Sequence, residues 1–246
     1  MVDKALFLGT SAAKESMHQL EIVTNNLANV TKTGFRADYE TQVPFQLAET
    51  EKESRTYGVH GASYSDFSQG PVIKTERDLD IAVAGKGFIA VQNKIGKEGY
   101  TRDGNLQIQD GLLKTAGGHL VLGSSGVISI PESAERLSIA TDGSVSIKFK
   151  GDPNPVITNK IKFTNPDIAK LGKGEDGLFY LPNGATANLD DSVRITPGAL
   201  ESSNVNAVEA LTSLIELSRQ FDMDSNLMKT MQENATKANE ILQLPA

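Results

Sequence analysis

The sequence predicts an α+β fold in which an N-terminal and a C-terminal helix pair as a coiled coil and a central all-β domain lies between them. Three observations predict it. Apolar residues recur seven apart near the start, an apolar seam steps by three and four residues near the end, and the middle alternates short apolar runs with glycine turns.

At the N-terminus, Leu6, Ala13, Leu20 and Leu27 form the seven-residue series, with Met17, Val23 and Val30 between them. This is one stripe on a helix over residues 3–29, about 40 Å long. Thr31, Thr33 and Gly34 bring β-branched and left-handed-tolerant residues together and end it. Asn25, Asn26 and Asn29 are poor helix formers that bond locally to backbone, so they suit a helix end. In a packed assembly the same amides also suit bonds to neighbouring subunits.

The C-terminal seam runs Ala207, Ala210, Leu214, Leu217, Phe221, Asp224, Met228, Met231, Ala235, Ala238 and Leu242, and only Asp224 breaks it. A helix over 205–242 is about 57 Å long. Asn204 or Ser203 is expected to cap it, and Glu209 favours its first turn. Both helices also carry apolar residues outside one seam: Phe7, Leu8 and Ile22 on the first, Leu211, Ile215 and Leu227 on the second. Pairing within one chain leaves these wet, so helices of other subunits are expected to complete the packing. The expected assembly residues are Leu6, Leu20, Asn25, Asn26, Leu27, Asn29, Leu214, Phe221, Met228, Met231 and Leu242, with the C-terminal set facing Leu6, Leu20 and Leu27.

Four segments follow. Residues 1–35 hold the first helix, 36–71 form an extended connection, 72–200 form the β domain, and 201–246 hold the last helix. Within 72–200, Leu79–Ala84 and Phe88–Gln92 flank Gly85-Lys86-Gly87, a hairpin signal. Asp-Gly or Asn-Gly pairs at 103–104, 110–111, 142–143, 176–177 and 183–184 separate further strand-like runs, with no βαβ rhythm.

Composition narrows the function. A net charge of −7, from 31 acidic and 24 basic residues with no basic cluster, gives no footprint for nucleic acid. No apolar run approaches the ~18 residues that span a bilayer, so no membrane insertion is expected. The N-terminus lacks the long apolar region of a secretory signal. The absence of cysteine removes disulfides and thiolate chemistry. His18, His60 and His119 show no metal-binding spacing, Gly85-Lys86-Gly87 and Gly172-Lys173-Gly174 lack the rest of a phosphate loop, and no nucleophile elbow occurs. No cofactor, metal or catalytic residue is expected.

Three motifs carry a resemblance. Asn25-Asn26-Leu27-Ala28-Asn29-Val30 with Thr33-Gly34-Phe35 resembles the N-terminal signature of flagellar rod, hook and hook-associated proteins. Gly99-Tyr100-Thr101-Arg102-Asp103-Gly104-Asn105 is similar to a motif in that family's β domain, and Leu200-Glu201-Ser202-Ser203-Asn204-Val205 with Val208-Glu209-Ala210 to its C-terminal signature. Gly151-Asp152-Pro153-Asn154-Pro155, Asp176-Gly177-Leu178-Phe179 and Arg219-Gln220-Phe221 look most like a proximal rod subunit. A distal rod or hook subunit is the alternative within the family. The resemblance implies export by the flagellar type III apparatus, assembly with other rod proteins and copies of itself in the periplasmic rod, and torque transmission for motility. From other classes, the alternatives are a β-domain enzyme acting on a cell-wall polymer and an adhesin with a coiled-coil tail.

Overall fold

A computed structural model describes residues 2–47, 55–151 and 154–242, with side chains described for 9–41, 64–151, 154–234, 236 and 237. The fold is mixed, with a helix near each end and a middle region built mostly of strands. The chain divides into two compact units, one of Met1–Ala28, Asp38–Tyr64 and Asn206–Ala246, the other of Asn29–Ala37 and Ser65–Val205.

In the first unit, α1 (Val2–Ala28) and α2 (Ala207–Leu242) run along each other, and β1 (Asp38–Leu47) pairs with β2 (Arg55–Ser65) in a two-stranded sheet. The sequence predicts an extended connection over 36–71, and these two strands lie within it; their apolar residues do not alternate cleanly enough to mark them as strands. Tyr39 and Tyr64 stack across the pair with ring centroids 5.9 Å apart. With 36 residues, α2 is about 54 Å long.

The expected caps of α2, Asn204 and Ser203, are corrected to Asn206. Its Oδ1 accepts from the backbone N–H of Val208 at 3.1 Å and of Glu209 at 3.4 Å. Asn204 is occupied elsewhere: its Oδ1 accepts from Ala37 N at 2.8 Å and its Nδ2 donates to Asp66 O at 2.9 Å. Ser203 Oγ accepts from Val205 N, short of the helix.

The second unit is antiparallel β. Its strands are β3 (Val72–Lys74), β4 (Ile81–Ala84), β5 (Phe88–Gln92), β6 (Glu98–Thr101), β7 (Leu106–Gln109), β8 (Leu112–Thr115), β9 (Leu120–Gly123) and β10 (Gly126–Val127). There follow β11 (Ala134–Ile139), β12 (Ser144–Phe149), β13 (Val156–Lys160), β14 (Phe163–Thr164), β15 (Gly172–Lys173), β16 (Phe179–Tyr180), β17 (Arg194–Pro197) and β18 (Ala199–Glu201). The main sheet has the order β15-β16-β6-β5-β9-β8-β7, with β10 on β9 and β14 on β5. A smaller sheet has the order β11-β12-β13, and two further pairs are β17-β4 and β18-β3.

Asp110-Gly111 does form a hairpin turn: both residues have positive φ, 56° and 70°, and Gln109 pairs with Leu112 across it. Gly85-Lys86-Gly87 does not. There β4 pairs with β17, setting Val83 against Ile195, while β5 pairs with β6 and β9. A turn signal is local and does not state which sheet the next strand joins. Here Gly87, at φ 126°, brings the backbone so near Val193 that a Cβ would lie 2.8 Å from its Cγ2. The chain therefore leaves one sheet for another through this turn.

The unbroken apolar run Phe88–Val91 is explained by two-sided burial. Ile89 and Val91 join a core with Ile81, Val83, Leu106, Leu113, Val121, Ile147 and Ile161, while Phe88 and Ala90 join Tyr100 and Phe179 on the opposite face. Each large side chain buried in this way contributes roughly 1.5–3 kcal/mol.

Tyr100 is fully buried; its hydroxyl accepts from Ala187 N at 2.6 Å and donates to Glu98 Oε1 at 3.2 Å. Burial pushes its pKa up to about 12, with the Glu98 carboxylate adding to the shift. The unfolded chain therefore loses this proton first. Stability is expected to hold up to about pH 10 and to fall toward pH 12 by about 2 kcal/mol, with Tyr100→Phe lacking that part of the fall. Denaturant midpoints at pH 9 and 11 check it, and equal slopes for both proteins would contradict it.

Candidate assembly site and the junction of the motifs

Within the first unit, the least exposed described residues of α1 are Gly9, Ala13, Ser16 and Asn26, with Leu20, Val23 and Leu27 half-buried. Along α2, Ala207, Ala210, Leu214, Leu217, Phe221, Asp224, Met228 and Met231 are half-buried. The helices run antiparallel: Ser16 Oγ donates to Asp224 Oδ2 at 3.1 Å, and Met228 Cγ lies 3.0 Å from where Gly9 would carry a Cβ. Small residues at 9, 13 and 16 permit this approach.

One stripe position is corrected. Met17 is 54% exposed, and Ser16 takes the buried place. From Ala13 the seam steps three and then four residues, to Ser16 and Leu20, and the more hydrophobic Met17 falls outside it. Asp224, the one break in the C-terminal seam, thereby meets a polar partner. A polar pair at one level of an apolar seam fixes register, because any slip leaves both groups without it.

Of the other expected residues, Leu6 and Leu242 have side chains outside the described residues. Asn25 lies at the surface and Asn29 is half-buried, its carbonyl accepting from Lys32 N at 3.0 Å. Asn26 is buried and directed at backbone: Nδ2 donates to Asp38 O at 2.8 Å and Oδ1 accepts from Asp38 N at 2.9 Å. This pins the start of β1 to the end of α1. Asn26→Ala is expected to lose about 1–2 kcal/mol of local stability. Hydrogen exchange at the Asp38 amide should then accelerate about tenfold, and unchanged exchange would contradict the assignment.

A second apolar face remains on α2. Val208, Leu211, Ile215, Met223 and Leu227 are 73%, 48%, 51%, 64% and 49% exposed. At 100° per residue they lie on the side of the helix away from the seam.

In the second unit, residues from all three motifs converge. Gly34 N donates to Glu201 O at 2.8 Å, and Asn204 N to Phe35 O at 3.4 Å, so the segment after α1 lies along the segment before α2. This bonding explains why residues 29–35 and 201–205, which the sequence groups with the helices, and 36–37, which it places in the connection, belong to the β-rich unit. Thr33 Oγ1 donates to Asp103 Oδ1 at 2.5 Å. Burial pushes the Asp103 carboxyl up, against the Thr33 hydroxyl and the Asn105 amide.

At the centre is an ion cluster. Glu201 accepts from Arg36 Nη2 at 2.6 Å, Arg102 Nη1 at 3.1 Å and Gly70 N at 3.1 Å. Arg36 also donates to Ser68 O at 2.7 Å, and Arg102 to the carbonyls of Val83 and Gly85. All three charged side chains are at most 5% exposed. Burial holds the Arg102 pKa below its usual value, with Arg36 adding to that and Glu201 opposing it. The cluster ties together five stretches of chain, at residues 36, 68–70, 83–85, 102 and 201, and three of them bond the Glu201 carboxylate directly. Sequence reasoning missed it; the only signal was that Arg102 and Glu201 sit inside motifs. Among the described residues there is no group of three or more His, Cys, Asp or Glu able to hold a metal, and no helix long and apolar enough to cross a membrane.

The arrangement is that of a chain whose motif residues join within the β-rich unit and whose two helices pair within the other. Residues 82–147 match the family model described as flagellar hook protein FlgE/F/G D1 domain, and residues 196–241 that described as flagellar basal body rod FlgEFG protein C-terminal. The flagellar basal-body rod protein FlgF of Escherichia coli (strain K12) is 32% identical, over 99% of this chain and 100% of that one. The chain belongs to the flagellar basal-body rod protein family, structural components of the basal body of the bacterial flagellum. Also similar are FlgF of Salmonella typhimurium, 33% identical over 99% of this chain and 100% of that one, and FlgG of Buchnera aphidicola subsp. Acyrthosiphon pisum, 28% identical over 96% and 99%.

Proposed function

We propose that the chain is a proximal rod subunit, of the type named FlgF in its relatives, that polymerises through α1 and α2 and transmits torque in the periplasmic rod. The observation that carries this is the two-sided apolar character of α2. One side lies on α1 of the same chain, and the other presents Leu211, Ile215 and Leu227 to whatever lies beyond it. In the proposal, helices of other rod subunits and of further copies cover that face, and the paired helices form a coiled-coil layer of the tube. Contacts of this kind repeat by helical symmetry without closing into a ring. Leu20, Leu27, Leu214, Phe221, Met228 and Met231 then set the packing within a subunit, continued by Leu6 and Leu242. Many staggered helix contacts resist twisting, so the function needs no turnover and no cofactor. Delivery by the flagellar type III export apparatus belongs to the same proposal.

Deleting residues 206–246 tests it. The β-rich unit is expected to keep its fold while cells lose rods and motility. Normal rods with the deletion would overturn the reading, as would turnover of a cell-wall polymer by the full-length chain.

A further inference from the structure

A cavity of about 230 Å³ opens in the β-rich unit at the turn that carries the chain from β4 to β5. Its walls are of two kinds. Phe67, Phe88 and Ile168 supply apolar surface, while Arg102, Lys86 and Asn165 supply nitrogen donors; no acidic residue lines it. The ion cluster behind it is unbalanced, since the buried Arg36 and Arg102 share the single carboxylate of Glu201. One positive charge is thus left over in a region removed from water, where an uncompensated charge is costly. Backbone carbonyls of Ser68, Val83 and Gly85 offset part of it but carry no net charge. Arg102 is 4% exposed, and its Nε has no hydrogen-bond acceptor among the described residues.

We infer that this cavity binds one carboxylate carried on a short apolar stem, the chemistry of a glutamate side chain. The carboxylate supplies the missing negative charge beside Arg102, with Lys86 and Asn165 at the rim, and the stem lies between Phe67, Phe88 and Ile168. A single excess charge matches a monoanion. Phosphate, carrying about −1.5 to −2 and no apolar part, fits neither the charge nor the walls. The site is independent of the helix pair, so it stands or falls separately from the assembly reading.

Titrating the full-length chain with butyrate, followed by amide NMR, tests it. Saturable shifts are expected at Gly87 and Phe88 and at Arg102 Nε–H, with butyramide, which lacks the charge, at least tenfold weaker. Lys86→Met, at an exposed turn position that leaves the fold intact, should weaken butyrate several-fold. A capped glutamate, Nα-acetyl-glutamate amide, is the second arm. Binding like butyrate identifies a protein-borne carboxylate, and exclusion with butyrate still bound identifies a free one; both keep the carboxylate assignment. Absence of saturable shifts with butyrate, equal binding of butyramide, or inorganic phosphate binding more tightly than butyrate would overturn it.

Discussion

Glu201→Ala is expected to destabilise the β-rich unit by about 3–5 kcal/mol, enough to unfold it in part at 37 °C. The wild-type carboxylate accepts from Arg36, Arg102 and Gly70 and is fully buried. Removing it leaves two guanidiniums close together with mainly carbonyls to face, Arg36 fully buried and Arg102 open to solvent only through the cavity it lines. The cost is therefore mainly the penalty of unpaired buried charge, not the lost attraction of a salt bridge. That distinction has its own test. Replacing all three charges together, as Arg36→Met, Arg102→Met and Glu201→Leu, should recover most of the loss, because no charge then remains buried. Urea unfolding of both variants measures it. A single variant within about 0.5 kcal/mol of wild type would show that the cluster is wetter than its geometry indicates.

The second large effect is expected from Gly34→Ala. Gly34 has φ +65°, where an L side chain is strained, and a Cβ there would lie 2.2 Å from the carbonyl carbon of Arg102. That contact is backbone, so no side chain can swing away to relieve it. The segment must lift, breaking the bond from Gly34 N to Glu201 O and disturbing Thr33 on Asp103. A loss of about 3 kcal/mol or more follows from strain and lost hydrogen bonds together. Gly85→Ala serves as the comparison: its φ is +74°, yet nothing lies within 4 Å of the added carbon. Thermal unfolding should show Gly34→Ala as much the more damaging, and equal effects would mean that strain alone, not the close approach, decides.

The helices were legible in the sequence because their signal is periodic and repeated. The α2 seam steps by three and four over its whole length, and each seam position from Ala207 to Met231 is half-buried. Ser16 was not legible, since its burial depends on Asp224, more than two hundred residues away. Asn206 was missed as the cap for a related reason: Asn204 and Ser203 are equally good caps by residue type, and what removes them is their bonding to distant backbone and to Val205. Strand Phe88–Gln92 stands where the sequence reads it, but the partner of β4 is not the one read, because Gly85-Lys86-Gly87 says only that the chain turns. The Arg36, Arg102 and Glu201 cluster lay furthest from view. Charged residues read singly look solvated, and only long-range contacts such as the bond from Gly34 N to Glu201 O bring the segment after α1, the end of β6 and β18 together.

The central proposal is polymerisation through the terminal helices, and the exposed face of α2 tests it most directly. Leu211→Glu with Ile215→Glu places two charges where the proposal requires contact with neighbouring subunits, on side chains 48% and 51% exposed within the chain. The account predicts a purified protein with unchanged circular dichroism and thermal midpoint, and cells that export it but build no rod when rods are counted by electron microscopy. Rods in normal number, with normal motility, would contradict it.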